Sequence, residues 1–215
     1  MTVAERGQTS KASRVEIVAA VLLAAAAVAT AWSSYQASRW TGEQAKAFAS
    51  ANAARVESTR ASDLANAQSE IDVTTFSQWV DAYLEGNDEI ATFYERRFRV
   101  EFRPAFQAWL RTDPFDDRSA PDSPFAMPEY VLAANEQADA LDAEAESTAA
   151  QARDDVQRAT NYVLGVVLFA VSLFFAGIST KLANHRIRAV VVGIGCTVFL
   201  VTATWIATFP VSLSV

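Results

Sequence analysis

Three stretches of the chain are apolar and contain no charged side chain: Ile17 to Ser33, Asn161 to Thr180 and Ala189 to Phe209. Each approaches or reaches the roughly 20 residues that an α-helix needs to cross a bilayer, so residues 17-33, 161-180 and 189-209 are predicted to be transmembrane helices. Lipid-embedded spans explain their lack of ionisable groups better than an ion or proton pathway would.

Between the first two spans the pattern changes to long polar helices. From Ser34 to about Asp72 there is no proline and one glycine, Gly42, and the large apolar residues Phe48, Val56, Leu64 and Ile71 recur at seven or eight positions. This is a narrow stripe on a long helix, interrupted by Asn52 and Arg60. Residues 129-160 also lack glycine and proline, with Leu141, Ala145, Thr148, Ala152, Val156 and Ala159 spaced by three or four. Arms 34-72 and 129-160 would reach about 58 and 48 Å from the membrane. Their similar lengths and many alanines predict a close antiparallel pair.

The charges predict a register for that pair. With Ser33 and Asn161 at one level, facing residues have numbers summing to about 194. Arg39 then faces Asp154 and Asp155, Lys46 faces Glu146, Arg55 faces Asp139, and Arg60 lies near Glu136. Exposed pairs of this kind contribute roughly 0 to 1 kcal/mol each, so they would select register more than they stabilise.

The remaining segment, residues 73-128, reads as a helical tip. Twelve of the chain's 23 aromatics fall between Phe76 and Tyr130. Phe76, Trp79, Val80, Tyr83 and Leu84 form one helical face that stops at Gly86-Asn87, a C-cap signal. Asp88 is the expected N-cap of a second helix carrying Ile90, Phe93, Tyr94, Phe98 and Phe102. Pro104 interrupts it and opens a short helix to Leu110. Pro114, Pro121, Pro124 and Pro128 mark the following stretch as a loop.

Charge sets the orientation. Arg6, Lys11 and Arg14 precede the first span, and Lys181, Arg186 and Arg188 lie between the second and third. Basic short loops stay cytoplasmic. This assigns residues 1-16 and 181-188 to the cytoplasm and 34-160 and 210-215 to the outside. The outer region carries 12 Lys plus Arg against 23 Asp plus Glu, a net −11 that accounts for the chain's acidity. Fifteen arginines against three lysines, with abundant alanine, suit a GC-rich bacterial genome and hence a bacterial plasma (inner) membrane. A cleaved signal peptide is the competing reading of the first span, since Ala29-Thr30-Ala31 before Trp32 fits a small-residue cleavage site. Against it, the helical pattern continues past Ala31 unbroken.

The chemistry-bearing residues are few. The single cysteine, Cys196, lies in the third span and the single histidine, His185, in the basic loop, so the outer region has no thiol or imidazole for catalysis or zinc. No catalytic residue, cofactor site or metal site is assigned. Asp113, Asp116, Asp117 and Asp122 lack the alternating ligands and glycine of a calcium loop. The segment YERRFRVEFRPAFQAWLR interleaves arginines with aromatics, a pattern that can grip nucleic acid. Its acidic surroundings and the helix-neighbour pairs Glu95 with Arg99 and Arg97 with Glu101 argue instead for a solvated amphipathic helix. Arg96, Arg97, Arg99, Arg103 and Trp109 are then the candidate contacts to a protein partner or an anionic lipid. At the membrane surface, Trp32, Tyr35 and Tyr162 are the candidate interfacial aromatics. Ala20 and Ala24, with Ala189, Gly193 and Thr197, repeat small residues at four and predict close helix approach or self-association.

The segments SSYQASRW after the first span and ATNYVLGVVLFAVSL entering the second, in a layout of one N-terminal and two C-terminal spans, resemble a family of uncharacterised bacterial inner-membrane proteins of unknown function. The resemblance implies no catalytic residue. The layout also resembles the proton-channel subunits of envelope and flagellar motors, whose large region is cytoplasmic; Lys181, Arg186 and Arg188 oppose that placement. The expected protein is therefore an all-α membrane protein with three transmembrane helices and a long extracytoplasmic antiparallel helical hairpin capped by short helices. Its expected role is a non-enzymatic scaffold, adaptor or accessory subunit contacting membrane lipids and a protein partner or a second copy, with no nucleic acid. A transport or proton-channel complex component is the second reading and a membrane-bound enzyme the third.

Overall fold

A computed structural model describes the backbone of residues 3–212 and side chains from Arg14 onward. Arg6, Lys11 and residues 213–215, which entered the orientation argument and the C-terminal tail, lie outside the described side chains. The described residues are helical, with no strand: α1 Val3–Leu84, α2 Asp88–Glu95, α3 Arg103–Leu110, a 3₁₀ turn Pro124–Ala126, α4 Ala133–Ser179 and α5 His185–Ile206. Three of these helices, α1, α4 and α5, are long and apolar enough to cross a membrane.

The long helices form because little interrupts them. No proline falls within α1, α4 or α5. Gly86, at φ +70°, ends the turn after α1, a left-handed conformation that glycine adopts without steric cost. Asn87, not the expected Asp88, caps α2, its side-chain oxygen accepting from Ile90 N at 3.2 Å. α2 also stops at Glu95 rather than continuing through Phe98 and Phe102. Pro104 cannot sit inside a continuous helix, and the intervening turns swing both phenylalanines into the tip core.

The chain divides into two compact units. In the unit formed by residues 50–147, the buried positions of α1 from Ser50 to Asp72 are Ala51, Ser58, Ala61, Ala65 and Asp72, with Ala54 and Gln68 half-buried between them. This is a strict alternation of three and four. α4 answers with Ala134, Ala138, Leu141 and Ala145 at the same spacing. Small side chains let the two backbones approach, and Ser58 Oγ donates directly to the Ala138 carbonyl at 3.0 Å. Phe48, Val56, Leu64 and Ile71, the expected stripe, are all exposed. Their spacing of nearly eight residues drifts around a helix of 3.6 residues per turn, so they cannot share one face.

The register also differs from expectation. Ser58 meets Ala138 two residues beyond the predicted level, and Arg55 Nη2 lies 3.9 Å from Glu146 Oε2 rather than beside Asp139, which is exposed. Lys46 is 3.1 Å from Glu43 and Arg60 is 2.6 Å from Glu57, both on their own helix. Alanine packing sets the register, and the long charged side chains take whichever carboxylate is in reach.

In the other unit, residues 1–49 with 148–215, the alternation continues through Ala37, Trp40, Gln44 and Ala47 on α1 and Thr148, Ala152, Asp155 and Ala159 on α4, all of them buried or half-buried. Asp155, buried as an inward-facing position should be, accepts from Arg158 Nη1 at 2.7 Å, and that guanidinium lies 4.7 Å above the Trp40 ring. Arg39 is 3.9 Å from Glu43. Val156, expected on the inner face, is exposed beside it.

Close approach of the apolar helices depends on two glycines the sequence reading passed over. A Cβ at Gly165 would stand 2.7 Å from Ile206 Cδ1, and one at Gly195 would stand 3.1 Å from Leu22 Cδ2. Ala20, Ala24, Ala189, Gly193 and Thr197 are exposed instead, so the predicted small-residue faces are not the packed ones. At one end of this unit Glu16 pairs with Arg188 at 2.9 Å. At the other, Gln36 clasps the segment after α5, its Oε1 accepting from Ser212 N at 3.0 Å and its Nε2 donating to Ser212 O at 3.4 Å.

Candidate functional site

The tip is built around one aromatic cluster. Phe76 and Trp79 come from α1, Phe98 and Phe102 from the turns after α2, and Phe106 and Trp109 from α3, all buried. Phe125, Met127 and Tyr130 close over them from the returning loop. The rings meet mostly edge to face: Trp79 with Phe106 at 4.8 Å, Phe98 with Phe106 at 4.8 Å and Phe76 with Trp109 at 5.3 Å. Such pairs contribute about 0.5–1.5 kcal/mol each beyond burial. Trp109 Nε1 donates to Pro121 O at 2.7 Å, pinning the proline-rich loop to α3.

A charged network borders this cluster. Asp72, fully buried on the α1 seam, accepts from Arg99 Nη1 at 2.8 Å and from the Tyr130 hydroxyl at 3.3 Å, both at Oδ2. Arg99 also pairs with Glu101 through its second terminal nitrogen. Asp72 Oδ1 and Gln68 Oε1 are buried without a hydrogen-bond partner. Burial pushes the Asp72 carboxyl above its ordinary value, with the Arg99 charge and the hydrogen bonds from Arg99 and Tyr130 pulling the other way. Burial raises the Tyr130 hydroxyl as well, with the neighbouring Asp72 adding to the rise. In the loop, Asp117 is lowered because Ser119 donates to it from both its backbone N–H and its hydroxyl. Among the described residues, no three His, Cys, Asp or Glu side chains converge as metal ligands.

No protein-family model, curated protein or solved structure matches this chain.

The five candidate contact residues of the tip separate into two kinds. Trp109 belongs to the core and offers no surface, and Arg99 is committed to Asp72 and Glu101. The alternation of aromatic and basic residues does not distinguish inward from outward positions: Arg99 turns inward because the helix expected to carry it ends at Glu95, and Trp109 does so on the buried face of the short helix expected after Pro104. Arg96, Arg97 and Arg103 are exposed. Arg97 stacks its guanidinium 3.4 Å from the Phe93 ring. Arg103 is held rigid, donating from Nε to Phe98 O and from Nη2 to Arg96 O. Arg96, Arg103, Thr92, Glu95 and Gln107 wall an open cleft of about 330 Å³ floored by Phe106.

The interfacial aromatics also separate. Trp32 and Tyr35 are exposed with rings 6.0 Å apart, available to a lipid surface. Tyr162 is completely buried, its hydroxyl donating to Pro210 O at 3.1 Å, so it packs between helices rather than facing lipid. An aromatic at a span end gives no hint of which way it points until the register of the neighbouring helix is known. Asp72 and Gln36 were missed, although a lone acid or amide at a three-four seam position is a signal in itself.

Proposed function

We propose that this chain is a multi-pass scaffold or adaptor of a bacterial plasma membrane. Residues 34-160 form an extracytoplasmic antiparallel helical hairpin whose tip docks a protein partner. The observation that carries this reading is the closed aromatic core: Phe76, Trp79, Phe102, Phe106 and Trp109 are all buried, so the tip is a rigid head whose recognition surface is its rim. Phe93, Arg96, Arg97, Arg103 and Gln107 present an aromatic face, guanidinium groups and an amide there, residue types favoured at protein interfaces.

The test is site-specific photocrosslinking from position 93 or 107 in native membranes, with a reporter fused at residue 120 to read topology. A discrete protein adduct and an extracytoplasmic reporter are expected. A cytoplasmic reporter refutes the orientation. An extracytoplasmic reporter with no adduct refutes tip docking.

A further inference from the structure

Where α1, α4 and the end of α5 meet, Ala29, Ser33, Phe169, Ala203, Ile206 and Phe209 wall a cavity of about 240 Å³. No charged residue lines it. Among the described residues, the serine and threonine hydroxyls of the three apolar segments return to a carbonyl of their own helix: Thr30 to Ala26, Ser172 to Leu168, Ser179 to Ala176, Thr180 to Gly177, Thr197 to Gly193, Thr202 to Val198, Thr204 to Leu200 and Thr208 to Trp205. Ser33 is the exception. It is 1% exposed, and its Oγ has no hydrogen-bond partner. A buried hydroxyl with an unmade bond is destabilising, and a ligand acceptor would offset that cost.

We propose that this cavity holds the upper acyl chain of a bilayer glycerolipid, with the chain's ester carbonyl accepting a hydrogen bond from Ser33 Oγ. Trp32 lines the same cavity and is exposed beside Tyr35, marking the level where a span meets the headgroups. Ester carbonyls lie just beneath that level, and the chain below them needs the apolar wall that Phe169, Ala203 and Ile206 supply. The size fits one chain segment. It is smaller than the roughly 300–1,000 Å³ of sites that enclose whole drug-sized ligands. Gly165 lets Ile206 take its place in the cavity wall, because a side chain there would drive Ile206 aside and stand 3.7 Å from Ser33 Oγ.

The inference rests on the membrane placement of the three apolar helices, and its test separates the two. Full-length protein is reconstituted in phosphatidylcholine vesicles with a trace lipid bearing a diazirine near the top of one chain, in ester-linked and ether-linked forms, and labelled peptides are quantified. The expected result is at least threefold more ester-lipid labelling on the Phe169 and Ala203–Phe209 peptides than elsewhere in the spans. Ala203→Phe, which fills the cavity, should return labelling to background. Ser33→Ala, which leaves packing intact, should abolish the preference for ester over ether. Even labelling across the spans, or equal labelling by the two probes with Ser33 present, overturns the proposal. Alkaline carbonate extraction of the native membranes reads placement independently. Release of the chain overturns both readings, whereas retention with even labelling overturns the lipid site alone.

Discussion

Asp72 sits where a heptad seam wants an alanine, and its environment shows what holding a carboxylate there requires. Arg99 and Tyr130 both reach Oδ2, yet Oδ1 is left without a partner, and desolvation outweighs the favourable contacts. Because its folded pKa is raised above 3.8, Asp72 holds its proton more tightly in the folded state. Its contribution to stability is complete below that value and is lost as pH rises through the raised pKa. Asp72→Asn keeps the shape and removes the titration. Melting curves at about pH 4 and about pH 7 should therefore show wild type gaining on the variant toward acid. Asp117 works in the opposite sense but is common to both proteins, so it cancels in the comparison. An unchanged difference between the two pH values would show that the carboxyl does not titrate as its burial implies. In the same core, Phe106→Ala should lower unfolding free energy by about 3–5 kcal/mol in chemical denaturation, because Phe106 is buried under Trp79 and Phe98.

At the scale of elements, the helices and their apolar segments were legible because length, charge and proline speak without tertiary context. Most of the packed face of α4 was legible, since Leu141, Ala145, Thr148 and Ala152 repeat at three and four and Ala159 follows seven residues on; the position between them is Asp155 rather than the expected Val156. The face of α1 was not. The abundance of alanine predicted close approach but not which alanines pack, because the large residues Phe48, Val56, Leu64 and Ile71 stand off the seam and only burial distinguishes an alanine that packs from one that fills solvent space. The tip was half legible: its aromatic richness was plain, but the break after Glu95, which sends Phe98 and Phe102 inward, depends on contacts with α1 far away in sequence. These assignments carry opposite expectations for substitution. Ala145→Leu, at a position with no exposure, should cost about 1–3 kcal/mol by overpacking. Leu64→Ala, large but exposed, should fall within about 0.5 kcal/mol of wild type. Reversed magnitudes in denaturant titrations would restore the large apolar stripe as the packing face.

For the molecule as a whole, the proposed orientation rests on the basic segment 181-188, which joins α4 to the first turn of α5. Replacing Arg186 and Arg188 with Asn leaves Lys181 as its only lysine or arginine. The fraction of chains with residue 120 reachable by an impermeant maleimide, through a cysteine placed there in a Cys196→Ser background, should fall. No change would locate the orientation signal elsewhere. The Gln36 clasp bears on how such a chain is made. Its two bonds join residues 176 apart in sequence. During synthesis, α1 therefore emerges with a buried-type amide that has no partner until residue 212 leaves the ribosome. In the proposed orientation that amide is served by water, lipid or an insertion factor while residues 34-160 are translocated and two further helices follow. Closure of the bundle is thus a late event, set by the length of the chain in between rather than by the speed at which α1 folds.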